Sequence, residues 1–149
     1  MATTTPRTET RSTDLAAQLR FAVMRLGRRL RQHAPEDITP SQLSALSVIV
    51  RERRLTLSQL AAAERVQPPT ITRVVDLLES KGLARRVASE TDRRVAFVEA
   101  TRAGTELVEA IRRRRDAYLA QRLRTFTADE RDVLRRAAPL LERLIEDPR

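Results

Sequence analysis

The chain has 149 residues, enough for one domain with a sizeable core and short for two independent ones. Its 29 basic and 20 acidic residues leave a formal net charge of +9, which favours a polyanionic partner through phosphate neutralisation. Lys81 is the only lysine, and the arginine excess suits bidentate phosphate and guanine contacts as well as it suits a G+C-rich coding bias. No cysteine is present, which excludes disulfides, zinc fingers and thiol redox sensing, and His33 stands alone without clustered ligands, so neither a metal nor a cofactor is expected.

The apolar runs are only a few residues long, and residues 1–12 carry Thr, Arg and Glu where a secretory signal needs an apolar stretch. A cytoplasmic protein without a membrane partner is expected, with residues 1–13 as a disordered polar arm. From Asp14 onward, Leu15, Leu19, Ala22, Val23, Leu26 and Leu30 recur at three- and four-residue steps and make one apolar stripe on a first helix. Arg20, Arg25, Arg28 and Arg31 take its other side, and Pro35 ends it. Thr39-Pro40-Ser41-Gln42 then combines an N-cap threonine, a first-turn proline and a glutamine three residues after the cap. The helix it starts buries Leu43, Leu46, Ile49 and Val50.

After the charged break Arg51 to Arg54, Thr56-Leu57-Ser58-Gln59 repeats the capping pattern and opens a short helix carrying Leu60 and Ala61, ending near Glu64. Gln67-Pro68-Pro69 begins the next helix, because paired prolines fit a helix only in its first turn. Ile71, Val74, Val75 and Leu78 face inward, and Gly82 is a left-handed stop followed by Leu83. Between Leu83 and Ala100 the period changes to alternation on both sides of Glu90-Thr91-Asp92-Arg93-Arg94, a β-hairpin with a charged turn. Thr101 caps a long helix with Leu107, Ala110, Ile111 and Tyr118 on its apolar side and Arg112 to Arg115 as a solvated belt. Thr127-Ala128-Asp129-Glu130 opens a last helix with Leu134, Ala138, Leu141 and Ile145, which Pro139 is expected to kink or restart.

Helix, short helix, tight turn, helix and hairpin is the order of a winged helix-turn-helix, whose helix after the turn enters a DNA major groove. The expected fold is mainly α with a small β-hairpin wing over residues 39–101, flanked by N- and C-terminal dimerisation helices over 14–36 and 102–149. With its apolar residues committed inward, the groove helix leaves Gln67, Pro69, Thr70, Thr72 and Arg73 outward near its start. Arg73 can chelate guanine O6 and N7 and the Thr methyls can touch thymine. Simple solvent exposure also explains the threonines, and an intrahelical pair with Asp76 or packing of the stem against Leu77 also suits Arg73. At the hairpin tip, Arg93 and Arg94 beside Asp92 can slip a guanidinium into a narrow minor groove; a generic charged turn has the same composition.

Asp92-Arg93-Arg94-Val95-Ala96-Phe97-Val98-Glu99-Ala100-Thr101 resembles the wing signature D-x-R-x-x-x-V-x-L-T of the MarR family of transcriptional regulators, with Ala100 in place of the leucine. Pro69 to Leu83 resembles that family's recognition helix and its Gly-Leu exit, and Ser58-Gln59-Leu60-Ala61 the helix before it. The resemblance implies a homodimer on double-stranded DNA, with Arg73 reading the major groove, Arg94 reaching the minor groove and Asp92 bracing the wing. It also implies a small aromatic or amphipathic effector. The terminal amphipathic helices carry more apolar stripe than a small winged domain can cover, which favours self-association through Leu15, Leu19, Leu26, Tyr118, Leu119, Leu134, Leu141 and Leu144 over a monomer with a helical layer on the winged core. The expected function is a sequence-specific, ligand-responsive repressor on a pseudo-palindromic operator; the alternative is an architectural protein coating DNA without sequence preference. With no cysteine, no histidine cluster, no glycine-rich phosphate loop and three glycines in all, the chain does not read as an enzyme.

Overall fold

In the computed structural model the described residues are 7–33, 37–89, 92 and 95–145, with side chains from residue 13 onward. They form two compact units, one ending at Arg112 and one beginning at Arg113. Among them no helix is long and apolar enough to cross a membrane.

The first unit opens with α1, Arg7–Arg31. It begins seven residues before Asp14, so residues 7–13 of the expected arm are helical. Neither proline nor glycine occurs between Arg7 and Leu26, so no residue there carries the large helix penalty that would stop the helix from extending. The helix α2, Pro40–Glu52, starts where the sequence places it: Thr39 Oγ1 accepts from the Gln42 N–H and the Gln42 side chain accepts from the Thr39 N–H, both at 3.2 Å. It buries Gln42, Leu43, Ala45, Leu46, Val48 and Ile49, while Val50 is only partly covered. At its exit Arg53 has φ 64° and ψ −46°, and the Arg54 N–H donates to Glu52 O at 2.7 Å, a positive-φ γ-turn that reverses the chain within three residues.

The turn delivers β1, Leu55–Thr56, a strand the sequence reading lacks. Thr56 then caps α3, Leu57–Glu64, through the reciprocal bonds with Gln59. The α3 exit places Arg65 in the left-handed region, with the Val66 N–H on Ala61 O at 3.0 Å and the Arg65 N–H on Ala62 O at 3.2 Å. These are the two bonds of a Schellman stop built without glycine. The helix α4, Pro68–Ser80, follows after two residues and stops through the same pair of bonds, Leu83 N–H to Leu78 O and Gly82 N–H to Glu79 O, with Gly82 at φ 68°.

Strands β2, Ala84–Ala88, and β3, Ala96–Ala100, pair antiparallel from Ala84 opposite Ala100 to Ala88 opposite Ala96. Because β1 pairs on the other edge of β3, through Leu55 opposite Val98, the wing is part of a three-stranded sheet ordered β1-β3-β2 and not an isolated hairpin. Two-stranded ribbons are marginal in water, and the third strand ties the wing to the helical core. That core centres on Leu46, Ile49, Leu60, Ile71, Val75, Leu78, Val98 and Ile111, all essentially inaccessible, each worth about 1.5–3 kcal/mol of burial.

Ile111 and Val108 come from α5, Arg102–Leu123, capped by Thr101, whose Oγ1 accepts from the Gly104 N–H at 3.1 Å and donates to Gly82 O at 2.6 Å. The Thr101 N–H donates to Leu83 O at 3.0 Å, so the α4 exit and the α5 start are stitched together. Gly104 lies in this seam: a Cβ there would sit 2.0 Å from Leu83 O.

The second unit holds the end of α5 and α6, Ala128–Arg143, whose Thr127 and Glu130 make the expected capping box. Arg122 lies over the Tyr118 ring at 5.7 Å. The helix runs through Pro139 without the restart expected there, and it buries none of its residues in this chain. Val133, Leu134, Leu140, Leu141 and Leu144 fall on one stripe at helical spacing, and Ile145 follows just beyond the helix; all are exposed.

Candidate nucleic-acid interface

Ile71, Val75 and Leu78 fix α4 against α2 and α3, and Val74 packs partly against the same core. At about 100° per residue this commits one side of the helix inward and leaves Pro69, Arg73, Asp76, Leu77 and Ser80 along the opposite stripe. Pro69, Thr70 and Arg73 are exposed, as is Gln67, the N-cap residue, whose side chain makes no capping bond. Thr72 is half-buried and its hydroxyl donates to Pro68 O at 2.9 Å.

The start of α4 has little to offer a phosphate through its backbone. Pro68 and Pro69 carry no N–H, and the Thr70 N–H is already bonded to Gln67 O at 3.0 Å. Most of the donors that make a helix N-terminus an anion site are therefore missing, and recognition falls to side chains.

The Arg73 side chain makes no hydrogen bond or ion pair with any described residue. The pairing with Asp76 that the sequence allows does not form; Asp76 is engaged from another element. Arg86 on β2 donates through Nη2 to Asp76 Oδ1 at 2.7 Å and through Nη1 to Glu79 Oε2, while its backbone N–H reaches Glu79 Oε1 at 2.7 Å. Sequence reasoning missed Arg86; the alternation of β2 carried the signal, since Arg86 shares the Val98 face that the sheet turns toward α4.

On the sheet's other face Arg54 stacks over the Phe97 ring at 4.2 Å, and Glu99 is bracketed by Arg85 at 3.0 Å and Arg54 at 3.7 Å. The wing base is thus held on both faces by charge pairs. At the tip, the Val95 N–H donates to Asp92 O at 3.0 Å and the Asp92 N–H donates to Ser89 Oγ at 3.3 Å, a local turn built on Asp92. Arg93 and Arg94, named as minor-groove candidates, lie outside the described residues.

The residues expected at a dimer interface fall on both units. Leu15 and Leu26 on α1 and Leu134, Leu141 and Leu144 at α6 are exposed, while Leu19, Tyr118 and Leu119 are partly covered.

The MarR family model matches residues 38–96, from the lead-in to α2 to the start of β3. An HTH-type transcriptional regulator of Mycobacterium leprae is 43% identical over 134 residues, covering 89% of this chain and 94% of that protein. A MarR family protein from Bacillus stearothermophilus shares the structure with a TM-score of 0.80 at 28% identity, over 92% of this chain and 96% of that one. A mutant of S. aureus MepR bound to an oligodeoxyribonucleotide shares the fold with a TM-score of 0.69 at 21% identity, over 89% of this chain and 98% of that one. The helix order, the wing and these relatives agree: the chain belongs to the MarR family of winged helix-turn-helix, DNA-binding transcriptional regulators.

Proposed function

We propose that the protein is a sequence-specific repressor that binds a pseudo-palindromic operator as a homodimer and is released by a small aromatic or amphipathic effector. The observation that carries this reading is the guanidinium of Arg73, unpaired among the described residues, on the exposed stripe of a rigidly packed helix and flanked by Thr70 and Thr72. An arginine held there can form the bidentate contact to guanine O6 and N7, worth about 1–3 kcal/mol of discrimination. Gln67 and Pro69 border the same surface, and Arg93 and Arg94 supply the minor-groove arm with Asp92 bracing the turn. The MepR mutant that shares the fold is bound to an oligodeoxyribonucleotide, which fits a DNA-facing surface of this kind.

Dimerisation is supported by the exposed apolar stripes of α1 and α6, which a lone chain leaves in water. Two-fold symmetry then places two α4 helices in major grooves about one helical turn apart and blocks the promoter beneath them. For the effector, a surface of suitable chemistry exists on α1, where Phe21 and Met24 stand exposed among Arg20, Arg28 and Arg31. The place of action is the cytoplasm.

Genomic DNA fragments captured by the protein, read for a shared inverted repeat, supply the operator. Fluorescence anisotropy on that repeat and on random DNA should give affinities at least about a thousandfold apart. A ratio near one would instead establish an architectural coating protein, which the arginine excess alone would also serve.

A further inference from the structure

Asp76 lies one turn beyond Arg73 on the same outward stripe of α4, the i, i+3 spacing at which an arginine and an aspartate meet on a helix surface. A carboxylate in that place competes with guanine for the guanidinium that is to read it. In the structure it does not compete, because Asp76 is held by Arg86, which also grips Glu79 and reaches α4 from the neighbouring strand. Arg86 is an unusual tenant of its position: it sits opposite Val98, on the face of β2 that turns toward the core, and its side chain is 30% exposed. A cation is tolerated there because each of the two terminal nitrogens of the planar fork finds a carboxylate.

We propose that Arg86 is a positioning residue for sequence reading: by occupying Asp76 it denies that carboxylate to Arg73 and keeps the Arg73 guanidinium available to DNA. The inference rests on α4 being the recognition helix. It assigns a role in specificity to a residue that touches no base, and it gives Asp76 a latent inhibitory one.

The test compares operator and random DNA by anisotropy for the wild type, Arg86→Gln, Asp76→Asn and the double variant, with thermal melts alongside. Arg86→Gln should lower the operator-to-random affinity ratio roughly tenfold for each half-site, the size of one arginine–guanine contact, and so roughly a hundredfold for the dimer. Asp76→Asn alone should leave the ratio within about twofold of wild type, and adding it to Arg86→Gln should restore the lost preference. A double variant no better than Arg86→Gln would show that Arg86 only anchors the wing and would overturn the proposal. So would a salt slope that falls by about one in Arg86→Gln, the mark of a lost phosphate contact. Should Arg86→Gln not fold, Arg86→Lys replaces it: a single ammonium can serve Glu79 but lacks the fork that also reaches Asp76, so the same loss and the same rescue are expected. If Arg73→Ala keeps the wild-type ratio, the recognition-helix reading fails and this inference with it; if Arg73→Ala loses the ratio but the rescue is absent, only this inference falls.

Discussion

Replacing Gly104 with alanine sets two effects of opposite sign against each other in the first turn of α5. Alanine is the better helix former by about 1 kcal/mol, so an unobstructed site would gain stability. Here the new Cβ would lie 2.0 Å from Leu83 O, 3.0 Å from Leu83 C and 3.2 Å from Leu46 Cδ1. The nearest atom is backbone, and to reach ordinary contact it must withdraw by more than an ångström. Overpacking of this kind costs about 1–3 kcal/mol. Leu83 O also accepts the Thr101 N–H at 3.0 Å, and disturbing that bond costs about 0.5–1.5 kcal/mol more. The steric and hydrogen-bond costs exceed the propensity gain, and a net loss of about 1–3 kcal/mol follows. At this chain length that lowers the midpoint of thermal unfolding by roughly 3 to 10 °C, measured by circular dichroism at fixed protein concentration. The matched control is Gly27→Ala on α1, where the Cβ would meet only the mobile end of Arg31 at 3.4 Å, and a gain of about 0.5–1 kcal/mol is expected. A Gly104→Ala variant as stable as the Gly27→Ala variant would refute the close approach between α5 and the α4 exit.

Four further outcomes follow from the same geometry. Arg65→Gly relieves a left-handed residue at φ 53° and should raise stability by about 1 kcal/mol in urea titrations, whereas Gly82→Ala, at φ 68°, should lower it by about 1–2 kcal/mol. Thr56→Ala removes the acceptor that serves the Gln59 N–H and should cost about 1 kcal/mol in the same assay. Leu141→Glu with Leu144→Glu places charges on the exposed apolar stripe of α6, and sedimentation velocity should show the dimer converted to monomer, while a monomeric wild type would remove the basis of the two-fold reading.

The helix starts were legible because their determinants are local. Thr39, Thr56 and Thr127 each find their partner three residues ahead, and paired prolines fit only a first turn, so α2, α3, α4 and α6 begin where the sequence places them. Gly82 was legible for the same reason. The features that escaped depend on residues far apart in the chain. β1 is two residues long and exists because Leu55 and Thr56 meet Val98 and Phe97. Gly104 reads as an unremarkable helix residue until Leu83 is brought against it. Arg86 reads as one arginine among many until α4 supplies its two carboxylates. The alternative Asp76 partner for Arg73 was sound helix geometry, and in the fold Asp76 meets Arg86 instead. The extra turns at the start of α1 escaped because residues 7–13 lack the apolar period that marks the rest of that helix. Pro139 breaks the local rule without breaking α6, since an exposed helix can leave the carbonyl one turn earlier to water.

Whether Arg73 on α4 reads bases is decided by operator and random-DNA affinities of wild type and Arg73→Ala, titrated between about 50 and 200 mM salt. Arg73→Ala should lose roughly 5- to 150-fold per half-site on the operator, the square of that factor for the homodimer, and little on random DNA, with both proteins weakening steeply as salt rises. An equal loss on both DNAs, or no loss on the operator, would contradict base reading by Arg73.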